Sequence, residues 1–165
     1  MEISQLFDIM PGIYIFRISG LEFCINVRDV YLVKRIEEPE TRKDEFTNYN
    51  EYLTIYNINI PIIDISKYFK TDSEKSADNR MILIIKHQTE DDYLDKTFGI
   101  IVDEVTEIIS IDRNEDNYRP RFEPAVDNPY LSGSVFLGRR EILLPNFSKI
   151  AANIFLKDGT AKVIN

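Results

Sequence analysis

Tryptophan is absent from this chain, and histidine and cysteine occur once each, as His87 and Cys24. A lone cysteine cannot close an intrachain disulfide, and it fits a reducing compartment. One cysteine and one histidine cannot complete a zinc site, so no metal ligands are assigned. The six glycines are scattered, which leaves no Walker loop, no dinucleotide fingerprint and no nucleophile elbow. No cofactor is expected. No stretch approaches the roughly 18 apolar residues that a membrane helix needs. Met1 to Gln5 shows no basic segment ahead of an apolar run, so no secretory leader is expected and the reading is cytoplasmic, without membrane insertion. Basic residues are outnumbered, 20 against 28, for a net charge of −8. That balance argues against a nucleic-acid binder, which needs a basic face to displace counterions.

What remains is apolar and aromatic. Hydrophobic residues make up 44% of the chain, with nine tyrosines and ten phenylalanines, enough to pack a core at this length. Leu21, Phe23, Ile25 and Val27 alternate with Glu22, Cys24 and Asn26, the period of a strand. Ile13 to Ile18 precedes them across Ser19-Gly20, which predicts a hairpin. The pattern points Cys24 away from the apolar set, where a second layer could cover it. Val30, Val33 and Lys34 fall at helical spacing, which predicts one or two helical turns over Arg28 to Arg35. Glu37 to Asn50 reads as a polar excursion. Ile60 to Ile65 reads as a strand that should start at, or lie at an edge near, Pro61. Ser66 to Phe69 reads as a turn or short helix, and Thr71 to Asn79 as a loop.

Further on, strands are expected over Met81 to Ile85, Phe98 to Val102 and Val105 to Ile111, with an acidic loop over Gln88 to Lys96. Asn114 to Asn128 reads as a loop. Leu131 to Leu137 and Glu141 to Leu144 read as a hairpin turning at Gly138 to Arg140. Phe147, Ile150, Ala151, Ile154 and Phe155 form one helix face, with Asn146 as N-cap. That face packs a core or, alternatively, binds a partner. Many short strands and little helix predict an all-β sandwich or small barrels.

Catalytic candidates are few. His87 has no nucleophile or orienting carboxylate beside it. Asp64 and Asp103 each follow an apolar strand, where carboxylates hydrogen-bond turns; an acid–base pair would need them to face one another. No catalytic residue is assigned. Arg119, Arg121, Arg139 and Arg140 either solubilise turns or pair with an acidic partner.

The segments Tyr14-Ile15-Phe16-Arg17-Ile18, Leu21 to Val27, Val30 and Val33, Ile60-Pro61-Ile62-Ile63-Asp64-Ile65, Phe98-Gly99-Ile100-Ile101-Val102-Asp103-Glu104-Val105, Arg119-Pro120, Tyr130-Leu131-Ser132-Gly133 and Ile142-Leu143-Leu144 follow one another in a recognisable order. In this order they resemble the CheW family of chemotaxis adaptors, over Tyr14 to Phe155. The resemblance implies two intertwined five-stranded SH3-like β-barrels with a C-terminal helix, and no enzymatic activity. It implies coupling of transmembrane chemoreceptors to the histidine kinase CheA. One barrel end would dock the CheA regulatory domain, and a groove between the barrels would take the cytoplasmic tip of the receptor. Residues 13–156 would form the domain, with an extension at 1–12 and a tail at 157–165.

The sequence departs from the family where Asn-Leu-Arg-Gly is usual and Thr54-Ile55-Tyr56-Asn57 stands instead. Asn tolerates the left-handed backbone that Gly supplies, so the turn is expected to survive; the arginine's charge does not. A proline-containing stretch upstream is replaced by Thr41 to Glu51, and the usual Leu-Asp by Pro145-Asn146. Ile55, Tyr56, Asn57, Val102 and Val105 are the residues expected to contact partners or to shape the groove; for Val102 and Val105 the alternative is core packing. The alternative reading is a divergent scaffold for another signalling kinase outside the receptor array.

Overall fold

The computed structural model describes residues 12–36, 41–42, 51–69, 80–87, 96–110 and 121–157. In chain order the strands are β1 (Gly12–Ile18), β2 (Leu21–Asn26), β3 (Val30–Ile36), β4 (Thr41–Arg42), β5 (Glu51–Ile55), β6 (Ile58–Ile63), β7 (Arg80–His87), β8 (Lys96–Val102), β9 (Glu104–Ser110), β10 (Arg121–Pro124), β11 (Leu131–Leu137) and β12 (Arg140–Pro145); helix α1 (Phe147–Lys157) follows. They form two six-stranded sheets, ordered β10-β11-β12-β2-β1-β9 and β3-β7-β8-β6-β5-β4. The chain thus starts in the first sheet, builds all of the second, and returns to finish the first. This is the intertwining expected of two curled, barrel-like sheets. The sixth member of each is short: β10 has four residues and β4 two.

Why the strands read as they do follows from three apolar clusters. Ile13, Ile15, Cys24, Val135, Ile142 and Leu144 fill the first sheet's own core. Leu53, Ile60, Ile62, Ile82 and Ile84 fill the second's. Between them, Phe16, Phe23, Ile25, Leu83, Ile85, Phe98, Ile100 and Val102 join residues of α1 in a central core that both sheets share. Alternate residues of β1, β2, β7 and β8 therefore enter different cores, so Ile82 to Ile85 is apolar without interruption. Cys24 is covered by the first core, the second layer that its outward direction on β2 required.

Two local readings change, and a third, the edge position of Pro61, is sharpened. Val30 to Ile36 is a strand, paired antiparallel with β7 from Val30↔Ile85 to Ile36↔Arg80; helix is confined to the 3₁₀ turn Val27–Asp29. The spacing of Val30 and Val33 imitated a helix because the register of β3 shifts between Val30 and Leu32, which breaks the two-residue alternation. Arg121–Pro124 is a strand, within the span read as a loop. Pro61 lies inside β6, yet the ladder to β8 begins only at Ile62. At Pro61 the strand has one neighbour, the local edge that a residue without an N–H needs.

Helix α1 forms as its sequence predicts. Asn146 Oδ1 accepts from the Lys149 amide at 3.0 Å, and Phe147, Ile150, Ala151 and Ile154 enter the central core. Its apolar face is thereby used in packing. No described helix is long and apolar enough to cross a membrane.

Candidate functional site

The predicted site residues divide between two places. Ile55, Tyr56 and Asn57 lie at the β5–β6 hairpin, and Val102 and Val105 flank the crossing from the second sheet to the first. Tyr56 and Asn57 form the two-residue turn, with φ of 49° and 64°. Two consecutive positive φ values make the turn whose twist suits a hairpin. The turn thus forms without glycine, as expected of Asn57, while Tyr56 adopts a backbone that bulky residues avoid. Tyr56 is 83% exposed. Ile55 is half-buried against the second core.

Val102 is 1% exposed. It fills the central core and offers a partner no surface, so its contribution is to the shape of the seam between the sheets. Val105 is half-buried against that same core.

The seam has two borders of different character. Beside α1, the Asn153 Nδ2 donates to the Tyr68 hydroxyl at 2.7 Å, and the Tyr68 and Tyr130 rings meet at 4.3 Å. Asn128 Nδ2 donates to the Tyr68 carbonyl at 3.3 Å. Polar tips are bonded and aromatic bodies packed, which closes this side. Elsewhere Tyr14, Val30, Met81 and Val105 border the core half-buried. Residues opposed in a ladder share a face. Ile108 opposes Tyr14 and Val33 opposes Leu83, so both face the seam; Ile108 is 65% exposed and Val33 36%. Apolar side chains of both sheets are thus partly exposed on the faces turned toward the central core. Ile108 was missed in the sequence because Ile108-Ile109 reads as a single buried pair, whereas β9 is an edge strand that turns one of them outward.

The two aspartates serve turns. Asp64 accepts from the Ser66 amide at 3.1 Å and its hydroxyl at 2.6 Å, capping the 3₁₀ turn Ile65–Tyr68. Asp103 Oδ2 accepts from the Ser19 amide at 2.8 Å. Among the described residues no three His, Cys, Asp or Glu side chains are grouped to hold a metal ion. Burial pushes the Cys24 thiol up to about 12, the opposite of an activated nucleophile. Arg140 is bound to Glu22 and Glu107, and Arg121 lies 4.7 Å from the Phe136 ring, so both have partners within the fold. Arg119, the acidic stretch 90–95 and the His87 side chain lie outside the described residues.

Comparison with known proteins agrees with this geometry. The family model for the CheW-like domain matches residues 12–155. The chemotaxis protein CheW of Klebsiella aerogenes is 22% identical over 151 residues, covering 90% of this chain and 87% of the relative. The crystal structure of the scaffolding protein TtCheW from Thermoanaerobacter tengcongensis matches with a TM-score of 0.61 at 20% identity, covering 84% of this chain and 90% of that one. With a family model spanning nearly all of the described fold, the chain belongs to the CheW-like domain family, whose members are non-enzymatic scaffolds and adaptors.

Proposed function

We propose that this chain is a cytoplasmic chemotaxis adaptor that couples chemoreceptors to the histidine kinase CheA. The observation that carries the reading is the seam. Strands of both sheets present partly exposed apolar side chains, Tyr14, Val30, Val33, Val105 and Ile108, on the faces turned toward the central core. An apolar strip between two rigid sheets suits an amphipathic helix, which buries a stripe of side chains at helical spacing. The receptor's cytoplasmic tip supplies such a helix, and the second barrel's end, with Ile55, Tyr56 and Asn57, takes the CheA regulatory domain.

The test is binding of the purified chain to the CheA regulatory domain and to a receptor cytoplasmic fragment from the same cell, each titrated alone. Binding to both supports the reading. Failure to bind either one refutes coupling.

A further inference from the structure

We propose that Asp103 is a positioning residue for the seam. Its bonds to the β1–β2 hairpin fix the angle at which the chain passes from the second sheet to the first, and with it the placement of Val105 and Ile108. This rests on the adaptor reading and adds what holds the site in place.

The first observation is topological. The chain leaves the first sheet through the 3₁₀ turn Val27–Asp29 and comes back at Asp103, the one residue between the end of β8 at Val102 and the start of β9 at Glu104. The partly exposed apolar side chains of the seam follow these crossings, Val30 and Val33 after the first, Val105 and Ile108 after the second. A single crossing residue has two soft backbone angles. Their setting determines how β9 leaves the second sheet.

A second observation is what holds those angles. The Asp103 amide donates to the Arg17 carbonyl at 2.9 Å, and Asp103 Oδ2 accepts from the Ser19 amide at 2.8 Å. On one side Val102 is sealed in the central core, and on the other Glu104 meets Arg17 at 3.0 Å. Asp64 differs: it accepts from Ser66, two residues on, and serves its own turn. Asp103 reaches a residue 84 positions away, and so ties the crossing to the hairpin of the sheet it enters.

The course of β9 past the crossing is not settled by its ladder alone. The β1–β9 register shifts between Ile15 and Phe16, where the Thr106 hydroxyl donates to the Ile15 carbonyl at 3.2 Å. A bulge lets a strand bend. Between the crossing and the bend stand the pairs Arg17↔Glu104 and Phe16↔Val105, and the Asp103 carboxylate adds a further hold. Ser19 donates to it from a φ of 52°, a backbone setting that residues other than glycine seldom adopt, so the same bond also supports the turn.

The experiment compares wild type, Asp103→Ala, Asp103→Asn and the double variant Ser19→Gly/Asp103→Ala. Spin labels at Tyr31→Cys on β3 and Ser110→Cys on β9, in a Cys24→Ala background, read the separation of the two sheets with no partner present. The unlabelled proteins are titrated against the receptor fragment and the CheA regulatory domain. Asp103→Ala is expected to shift or broaden the label distance by about 2 Å and to weaken receptor binding about tenfold, with CheA binding held within about twofold. Asp103→Asn keeps an acceptor oxygen for the Ser19 amide and is expected to restore both readouts. The double variant frees the turn of its strain, so it is expected to regain thermal stability but neither readout; it also carries the measurement if Asp103→Ala does not fold. Wild-type label distances or wild-type receptor affinity in Asp103→Ala overturn the positioning role and leave the adaptor reading standing. So does recovery of receptor affinity in the double variant, which would reduce Asp103 to a support for the turn, and so does equal loss of both partners. A loss in Asp103→Asn as large as in Asp103→Ala overturns the hydrogen bond as the cause. Wild type that binds no receptor fragment overturns the adaptor reading, and the label distances still decide whether Asp103 sets the angle between the sheets.

Discussion

Arg140 grips Glu22 with two parallel hydrogen bonds, one of them Nε to Oε1 at 2.8 Å, across 118 residues of sequence. The same guanidinium reaches Glu107 Oε1 at 2.7 Å. One side chain on β12 thereby ties β2 and β9, the latter at the far edge of the sheet, and helps hold the first sheet curled. Glu22 is held below its ordinary carboxyl value of 4.5, first by the hydrogen bond from Arg140. A carboxyl that is more acidic when folded stabilises the fold above its unfolded pKa, and the contribution fades as pH falls through the folded value. Arg140→Met should cost about 1–2 kcal/mol at neutral pH, a figure reduced because both groups are partly exposed. The loss should shrink on acidification below about pH 4. Urea denaturation at pH 7 and pH 3 measures both.

The thiol of Cys24 predicts an opposite dependence at the alkaline end. Burial raises it from 9.0 to about 12. Above pH 9 an unfolded chain sheds this proton while the folded chain keeps it, so stability falls as pH rises from 9 toward 12. Cys24→Ala should flatten that decline, at a cost of roughly 1 kcal/mol at neutral pH for the lost packing. Alkylation of the native protein should be slow, and should become rapid on denaturation. Denaturation curves at pH 8 and pH 10, with timed alkylation, provide the check.

Gly133 is required by distance rather than by turn geometry. A Cβ at this position would lie 2.2 Å from the Glu123 carbonyl oxygen and 2.7 Å from the Phe122 ring. The carbonyl is backbone, in the strand paired with Gly133 through Pro124, and cannot step aside without displacing β10. Gly133→Ala should destabilise by about 1–3 kcal/mol, with hydrogen exchange accelerated first in β10 and β11. A variant as stable as wild type would show that β10 is dispensable to the sheet.

How far the sequence revealed all this depended on the source of each signal. The β1–β2 hairpin, β7, β8, the β11–β12 hairpin and the capped helix were legible because each carries its own periodicity or cap. β3 was not, since its register shift disrupts alternation. Nor was β10, whose four residues include Glu123 and Pro124 and take their place from β11. At the site, the Asn57 turn was legible from backbone preference. The burial of Val102 was legible as core packing from the apolar run of β8, whereas the exposure of Ile108 was not, because it is decided by which strand lies at an edge.

The seam yields the prediction that separates its role from that of the hairpin tip. Ile108 stands on an edge strand, 65% exposed, so a charged replacement should cost the fold little, within about 0.5 kcal/mol. Its neighbour Val105 is half-buried against the central core, and Val105→Ala should cost about 1 kcal/mol. If the seam takes an apolar helix, Ile108→Glu places a charge that would be buried without a partner on docking. Affinity for the receptor fragment should then fall about tenfold or more, while affinity for the CheA regulatory domain stays within about twofold. Loss of both interactions together would mean that one surface serves both partners, and loss of neither would remove the seam from the binding surface. Calorimetric titration of Ile108→Glu against each partner separately, with its thermal midpoint recorded alongside, distinguishes the three outcomes.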